Sequence, residues 1–167
     1  MAQPSIEFLC ACLANALLYY YHVERPPVPI EEMLLMPPPD LAGDLALVRW
    51  APYVGHMYRR GLSQRGAVYV HPKLEPIEQR MAMASGLFLG LRNSEGGQAV
   101  GLEQSVVSED AQVESELFAR YILMPAHLLP PDWETLTPQV LAGLFEVPLD
   151  VAEIRMEELH TEIHKAE

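Results

Sequence analysis

Basic residues are scarce: 11 Lys and Arg stand against 23 Asp and Glu in 167 residues, a net charge of −12 at neutral pH. That balance repels phosphate backbones and anionic lipid, which makes nucleic acid and membranes poor partners and leaves solubility or a basic protein surface as its consequence. Cysteine is nearly absent. Cys10 and Cys12 are the only two, and side chains two apart in a helix do not face each other, so they build neither a disulfide framework nor a four-ligand zinc site. No stretch reaches 18 uninterrupted apolar residues, which argues against a membrane span. No Lys or Arg precedes Arg25, and Glu7 and Asn15 interrupt the apolar start, unlike a signal peptide. The chain reads as cytoplasmic. No Gly-x-Ser-x-Gly elbow surrounds any serine, Gly96-Gly97 fits no phosphate-binding pattern, and Arg59-Arg60 is too small a nucleic-acid patch.

What is present is apolar bulk. Half of the residues are hydrophobic, and the length suffices for a sizeable core, which excludes disorder. We expect a body over 1–130 and a C-terminal helical pair over 131–167 packed on it as one structural unit. Ile6, Leu9, Cys10, Leu13, Leu17, Leu18 and Tyr21 recur at helical spacing within 4–24, with Pro4 able to occupy the first turn. Pro29 opens a short helix over 30–36. Residues 45–50 read as a strand or a buried turn of helix, and 52–60 as an irregular excursion or a short helix. The β-branched and aromatic run 67–71 is a strand. A helix follows over 76–92, then a glycine-bearing loop or hairpin over 93–108. Residues 109–123 form a helix with Val113, Leu117, Phe118, Tyr121 and Ile122 on one face. The last pair covers 137–145 and 149–164, with Thr137 as N-cap and Pro138 at the first helical position.

Three stretches carry a family likeness. Val68-Tyr69-Val70-His71-Pro72 leads into Arg80-Met81-Ala82-Met83-Ala84-Ser85-Gly86-Leu87-Phe88-Leu89; later come Glu114-Ser115-Glu116-Leu117-Phe118-Ala119-Arg120-Tyr121-Ile122-Leu123-Met124-Pro125 and Leu141-Ala142-Gly143-Leu144-Phe145-Glu146-Val147-Pro148. Over roughly 25–160 the chain resembles the ImmA/IrrE family of zinc-dependent metallopeptidases, which includes proteins that cleave or antagonise helix-turn-helix repressors. The resemblance implies an α/β (α+β) zincin-like metallopeptidase fold, mostly helical with a small sheet and a C-terminal helix pair. In an active zincin two His at i and i+4 bind one metal, and the Glu between them is the general base. The resemblance places Ser85, Gly86 and Leu89 at those positions, and retains only Glu114 where the family has its third ligand. It therefore implies no catalytic residues, no metal and no cofactor.

The implied function is that of a pseudoenzyme, a protein-binding regulatory module directed at a helix-turn-helix repressor or an antitoxin-like partner. A metal-dependent hydrolase using Glu114 with a non-standard site is one alternative. A structural homo-oligomer subunit, a homodimer through the apolar N-terminal helix, is another. Glu114 itself reads as an exposed or capping-adjacent acid rather than a residual ligand. Ser85 and Gly86, with Ala82, Ala84 and Gly90, form a small-residue surface that admits a neighbouring helix, and Leu89 is expected to be buried against the helix of Phe118. His71 reads as a turn residue. His160 and His164 have two-ligand spacing but lie at a solvated helix end. The final helix carries Asp150, Glu153, Glu157 and Glu158 against Arg155 alone, so it would be repelled by DNA; Glu153, Glu157 and Glu158 mark a solvent-facing acidic surface for a basic partner.

Overall fold

The computed structural model describes residues 4–51, 55–60, 66–99, 102 and 109–166, with the backbone alone for 56, 109, 110 and 163–166. The described chain is mostly helical with one small mixed sheet. Its contacts separate into two units, Pro29–Ala119 and Met1–Val28 with Arg120–Glu167. No helix among the described residues is long and apolar enough to cross a membrane.

In Pro29–Ala119 the prolines set the first boundary. Pro29 stands at the N-cap of α2 (Ile30–Leu35), which buries Ile30, Met33 and Leu34 at i, i+3 and i+4. The open reading of 45–50 resolves to a two-residue strand, β1 (Leu47–Val48). The expected excursion or short helix over 52–60 is corrected: His56–Arg60 is strand β2, residues 52–54 lying outside the described residues. Strand propensity depends on a pairing partner, and that partner is β3 (Gly66–Val70), ten residues further on. β3 is central, parallel to β1 with Leu47 opposite Val68, and antiparallel to β2 with Tyr58 opposite Val68. Gly66, Val68 and Val70 are its buried side.

Helix α3 (Pro76–Arg92) begins as expected, with Pro76 in its first turn and the Glu78 carboxylate accepting the Glu75 N–H at 3.1 Å. All seven residues from Ala82 to Phe88 are buried, so this is a core helix rather than an amphipathic one. Its two glycines meet the sheet side, and the helix also contacts α2. A Cβ on Gly86 would collide with Val68 of β3, and one on Gly90 with Leu45 just before β1. The loop or hairpin expected over 93–108 contains a short helix, α4 (Glu95–Ala99). Ser94 starts it, its hydroxyl donating to the Leu91 carbonyl at 2.6 Å and accepting from the Gly97 N–H at 3.0 Å, which offsets the poor helix propensity of two glycines.

Helix α5 (Glu109–Leu123) buries Ala111, Ser115, Phe118, Ala119, Ile122 and Leu123. Val113, expected on this face, is 64 % exposed, because it stands two residues from both Ala111 and Ser115 and so points away from their stripe.

In the other unit, α1 (Ile6–Tyr20) is shorter than the expected 4–24: Pro4 lies two residues before its first residue, and Ser5 is the N-cap, its hydroxyl accepting the Phe8 N–H at 3.3 Å. Cys10 is buried, Cys12 exposed, and both are free thiols. Thr137 and Pro138 stand at the N-cap and first turn of α6 (Pro138–Phe145), although the Thr137 side chain makes no capping bond. α6 ends at Glu146 in the left-handed conformation, φ 53°, and packs against α7 (Leu149–Ala166). Val151, Ala152, Arg155 and Leu159 form the buried stripe of α7.

Candidate functional site

Ser85 and Gly86 are buried in α3, and Leu89 is half-buried. Leu89, expected to be buried against the helix of Phe118, is only half-buried; the ring that stacks on Phe118 is that of Phe88, 5.3 Å away at an interplanar angle of 34°. The helical period explains the correction. One turn on from Phe88, Arg92 pairs with Glu114, which stands one turn before Phe118, so the two helices meet antiparallel along the line of 88 and 92. Leu89 sits about 100° round from that line.

Glu114 is not an exposed acid. The Arg92 guanidinium donates to its Oε2, and the two side chains are 8 % and 23 % exposed. Zinc needs three or four N, O or S donors. Ser85 offers one buried hydroxyl, Gly86 and Leu89 offer nothing, and Glu114 is already neutralised by a cation. This donor set does not fit the metal. Among the described residues no group of three or more His, Cys, Asp and Glu could hold one elsewhere.

The histidines supply no substitute. His71 is a turn residue as expected, its Nδ1 accepting the Lys73 N–H at 3.2 Å. His160 Nδ1 lies 2.7 Å from the Met156 carbonyl, and its ring is 4.9 Å from Trp133. The His164 and His56 side chains lie outside the described residues.

The acidic face divides. Glu153 and Glu157 are exposed, but Glu158 is not solvent-facing as expected. Its carboxylate is 23 % exposed and pairs with Arg120 Nη2 at 2.7 Å and Arg155 Nη1 at 3.3 Å. Arg155, expected on the outer surface, is 1 % exposed. Its Nη1 donates to Glu162 Oε1 at 2.8 Å and its Nε to the Met124 carbonyl at 3.3 Å, while its Cζ stacks 4.1 Å from the Tyr121 ring centroid. The Tyr121 hydroxyl donates to the same Glu162 oxygen at 2.8 Å. Burial, then that hydrogen bond and the Glu162 charge, push the Tyr121 hydroxyl up to about 12. Tyr58 of β2 is also raised, by burial first and then by the Asp44 carboxylate, and its buried hydroxyl has no hydrogen-bond partner among the described residues.

A cavity of about 190 Å³ adjoins this network, lined by Arg155, Glu162 and Tyr121 and by Ala11, Ala14 and Ala126 among others. Sequence reasoning missed it. The available signal was the spacing of Val151, Ala152, Arg155 and Leu159, which sets an arginine inside a buried stripe with Glu158 and Glu162 one and two turns further on.

The chain matches no protein-family model and no curated protein.

Proposed function

We propose that this chain is a zincin-like domain of ImmA/IrrE type that has lost its metal site and works by binding a regulatory protein, with a basic helix-turn-helix repressor or antitoxin-like protein as the partner class, in the cytoplasm. The observation that carries this reading is the state of Glu114: the acid at the family's third-ligand position holds Arg92 in place of a metal, while the positions that would need donors are Ser85, Gly86 and Leu89. An ion pair closed by phenylalanine stacking is a sound interior without a metal, because burying large apolar side chains contributes about 1.5–3 kcal/mol each. The hydrolase alternative through Glu114 is disfavoured by the same pair. Binding is assigned to the outer side of α7, where Asp150, Glu153 and Glu157 are exposed; Glu158 is withdrawn from that surface because it holds Arg120 and Arg155.

The test has two arms. Protein purified without added metal should contain no stoichiometric zinc, and chelator should leave its melting temperature unchanged; one tightly held equivalent, lost together with stability, would sink the reading. Reversing Asp150, Glu153 and Glu157 to Lys should leave stability within about 0.5 kcal/mol and abolish capture of a basic repressor whose affinity for the wild type falls with salt. A repressor that binds both forms equally at low and high salt removes the acidic face from the proposal. Self-association through α1 is a second reading, favoured by Phe8, Tyr19 and Tyr20, which are 60 %, 82 % and 51 % exposed; sedimentation of wild type and Tyr19→Lys decides it.

A further inference from the structure

We propose that the outward face of α1 is a contact with a second copy of this chain, the two helices lying antiparallel about the midpoint between Cys12 and Asn15. This pairing rests on the self-association reading above and gives it a register; it is independent of the repressor-binding reading. Phe8, Cys12, Asn15 and Tyr19 are all exposed. At about 100° per residue they fall within about 60° of one another, which makes them one narrow stripe about 16 Å long. No Asp, Glu, Lys or Arg stands between Glu7 and Glu24, so the stripe is uncharged.

Two features choose a second copy over another partner. The first is the order of side-chain sizes. Phe8 and Tyr19 stand equally far on either side of the midpoint, with Cys12 and Asn15 equally far inside them, so a half-turn carries Phe8 to the place of Tyr19 and Cys12 to that of Asn15. An isologous contact needs a stripe of this kind, because every pairing in it occurs twice. Phe8 then meets the partner's Tyr19 at each end, and the smaller Cys12 and Asn15 let the two axes approach between the rings. Antiparallel alignment also separates the like ends of the two helix dipoles. The second feature is charge. Each copy carries −12 and repels the other over about 10 Å at 0.1 M salt, so contact is least opposed on a face with no charge of its own. A stripe this short covers less than the roughly 800 Å² per partner of a standard interface, which makes the pair weak, reversible and dependent on concentration.

Sedimentation of the full chain over a range of concentrations, at low and high salt, tests the pairing. Wild type should dimerise reversibly and more tightly at high salt, the reverse of the salt dependence expected for a basic partner. Phe8→Lys and Tyr19→Glu, both at exposed positions, should each weaken the dimer at least about tenfold while circular dichroism shows them folded. Combined in one chain they should dimerise at least about threefold more tightly than either alone, because antiparallel helices set the new opposite charges against each other twice. Iodoacetamide gives a separate readout: Cys12 is exposed and Cys10 buried, so Cys12 should be alkylated selectively, and more slowly as the dimer forms. A chain that stays monomeric up to about 1 mM at high salt would overturn both this pairing and the self-association reading. A dimer that neither single variant weakens, that the combined variant fails to recover, or in which Cys12 reacts as fast as in the monomer would overturn the pairing alone. Cosedimentation of monomer with phosphatidylcholine vesicles, abolished by Phe8→Lys, would assign the stripe to a lipid surface and overturn it as well.

Discussion

The two units each bury an arginine, Arg92 and Arg155, in different company. In Pro29–Ala119, where the family resemblance locates chemistry, α3 meets β3 through Gly86 against Val68 and meets α5 through Phe88 against Phe118, with one ion pair, Arg92 with Glu114, one turn further along. In the other unit, where the sequence reads as a solvated acidic helix, an arginine is 1 % exposed and is held by two carboxylates, a carbonyl and an aromatic face. Apolar closure needs only shape. A buried guanidinium needs partners placed for its donors. The difference teaches that charges which count as solvated along a helix can instead form its interior.

The comparison breaks most easily at Phe88. Phe88→Ala should cost about 3–5 kcal/mol, whereas Leu89→Ala, at the half-buried position next to it, should cost less than about 1 kcal/mol. Urea midpoints of the two variants measure the gap. Equal costs would mean that the aromatic pair does not organise the contact between α3 and α5.

Arg155→Met tests the charged unit. Removing one member of a buried pair typically costs about 3–5 kcal/mol, but Glu162 is 40 % exposed and can recover water, so about 2–3 kcal/mol is expected. Adding Glu162→Gln to Arg155→Met should recover part of that loss in a double-mutant cycle. Strict additivity would show that Arg155 acts through packing and not through its charge.

Much of this was legible in the sequence because the signals are local. The proline boundaries, the first turn of α3 and the placement of Thr137 and Pro138 depend on residues within one turn of each other, and they stand where the spacing puts them. What escaped depends on partners distant in sequence. His56–Arg60 becomes a strand because β3 pairs with it, and Val113 faces out because the register of α5 is set by Phe118 and Ile122. At the candidate site, the residue types at the positions the resemblance points to say that Gly86 and Leu89 offer no metal donor, yet not that Arg92 would take Glu114. Arg155 was misread for a physical reason: counting charges on a helix treats each as solvated, whereas its neighbours at four-residue spacing, Val151 and Leu159, place it inside.

Gly86 sharpens the apolar side of the comparison. Alanine there gains about 1 kcal/mol of helix propensity but must displace Val68, and overpacking typically costs about 1–3 kcal/mol, so Gly86→Ala should be destabilising by up to about 2 kcal/mol. Val68→Ala alone should also destabilise, and the two together should cost less than their sum, because each relieves the other. Additive costs in thermal unfolding would mean that α3 and β3 do not touch at this point.

The smallest effect belongs to Tyr121. Its folded-state pKa of about 12 lies above the ordinary tyrosine value of about 10. Between those values the folded chain keeps a proton that the unfolded chain has released. The unfolded state then binds fewer protons, so the contribution of Tyr121 to stability is complete below about pH 10 and is lost as pH rises through about 12. Tyr121→Phe removes this one titration while leaving the ring beneath the Arg155 guanidinium. Urea midpoints measured from pH 9 to 12 should therefore fall more for wild type than for the variant, and the gap between them should narrow with rising pH. A gap that stays constant would mean that the hydroxyl of Tyr121 is not held protonated by burial and by Glu162, and would remove it from the charged network.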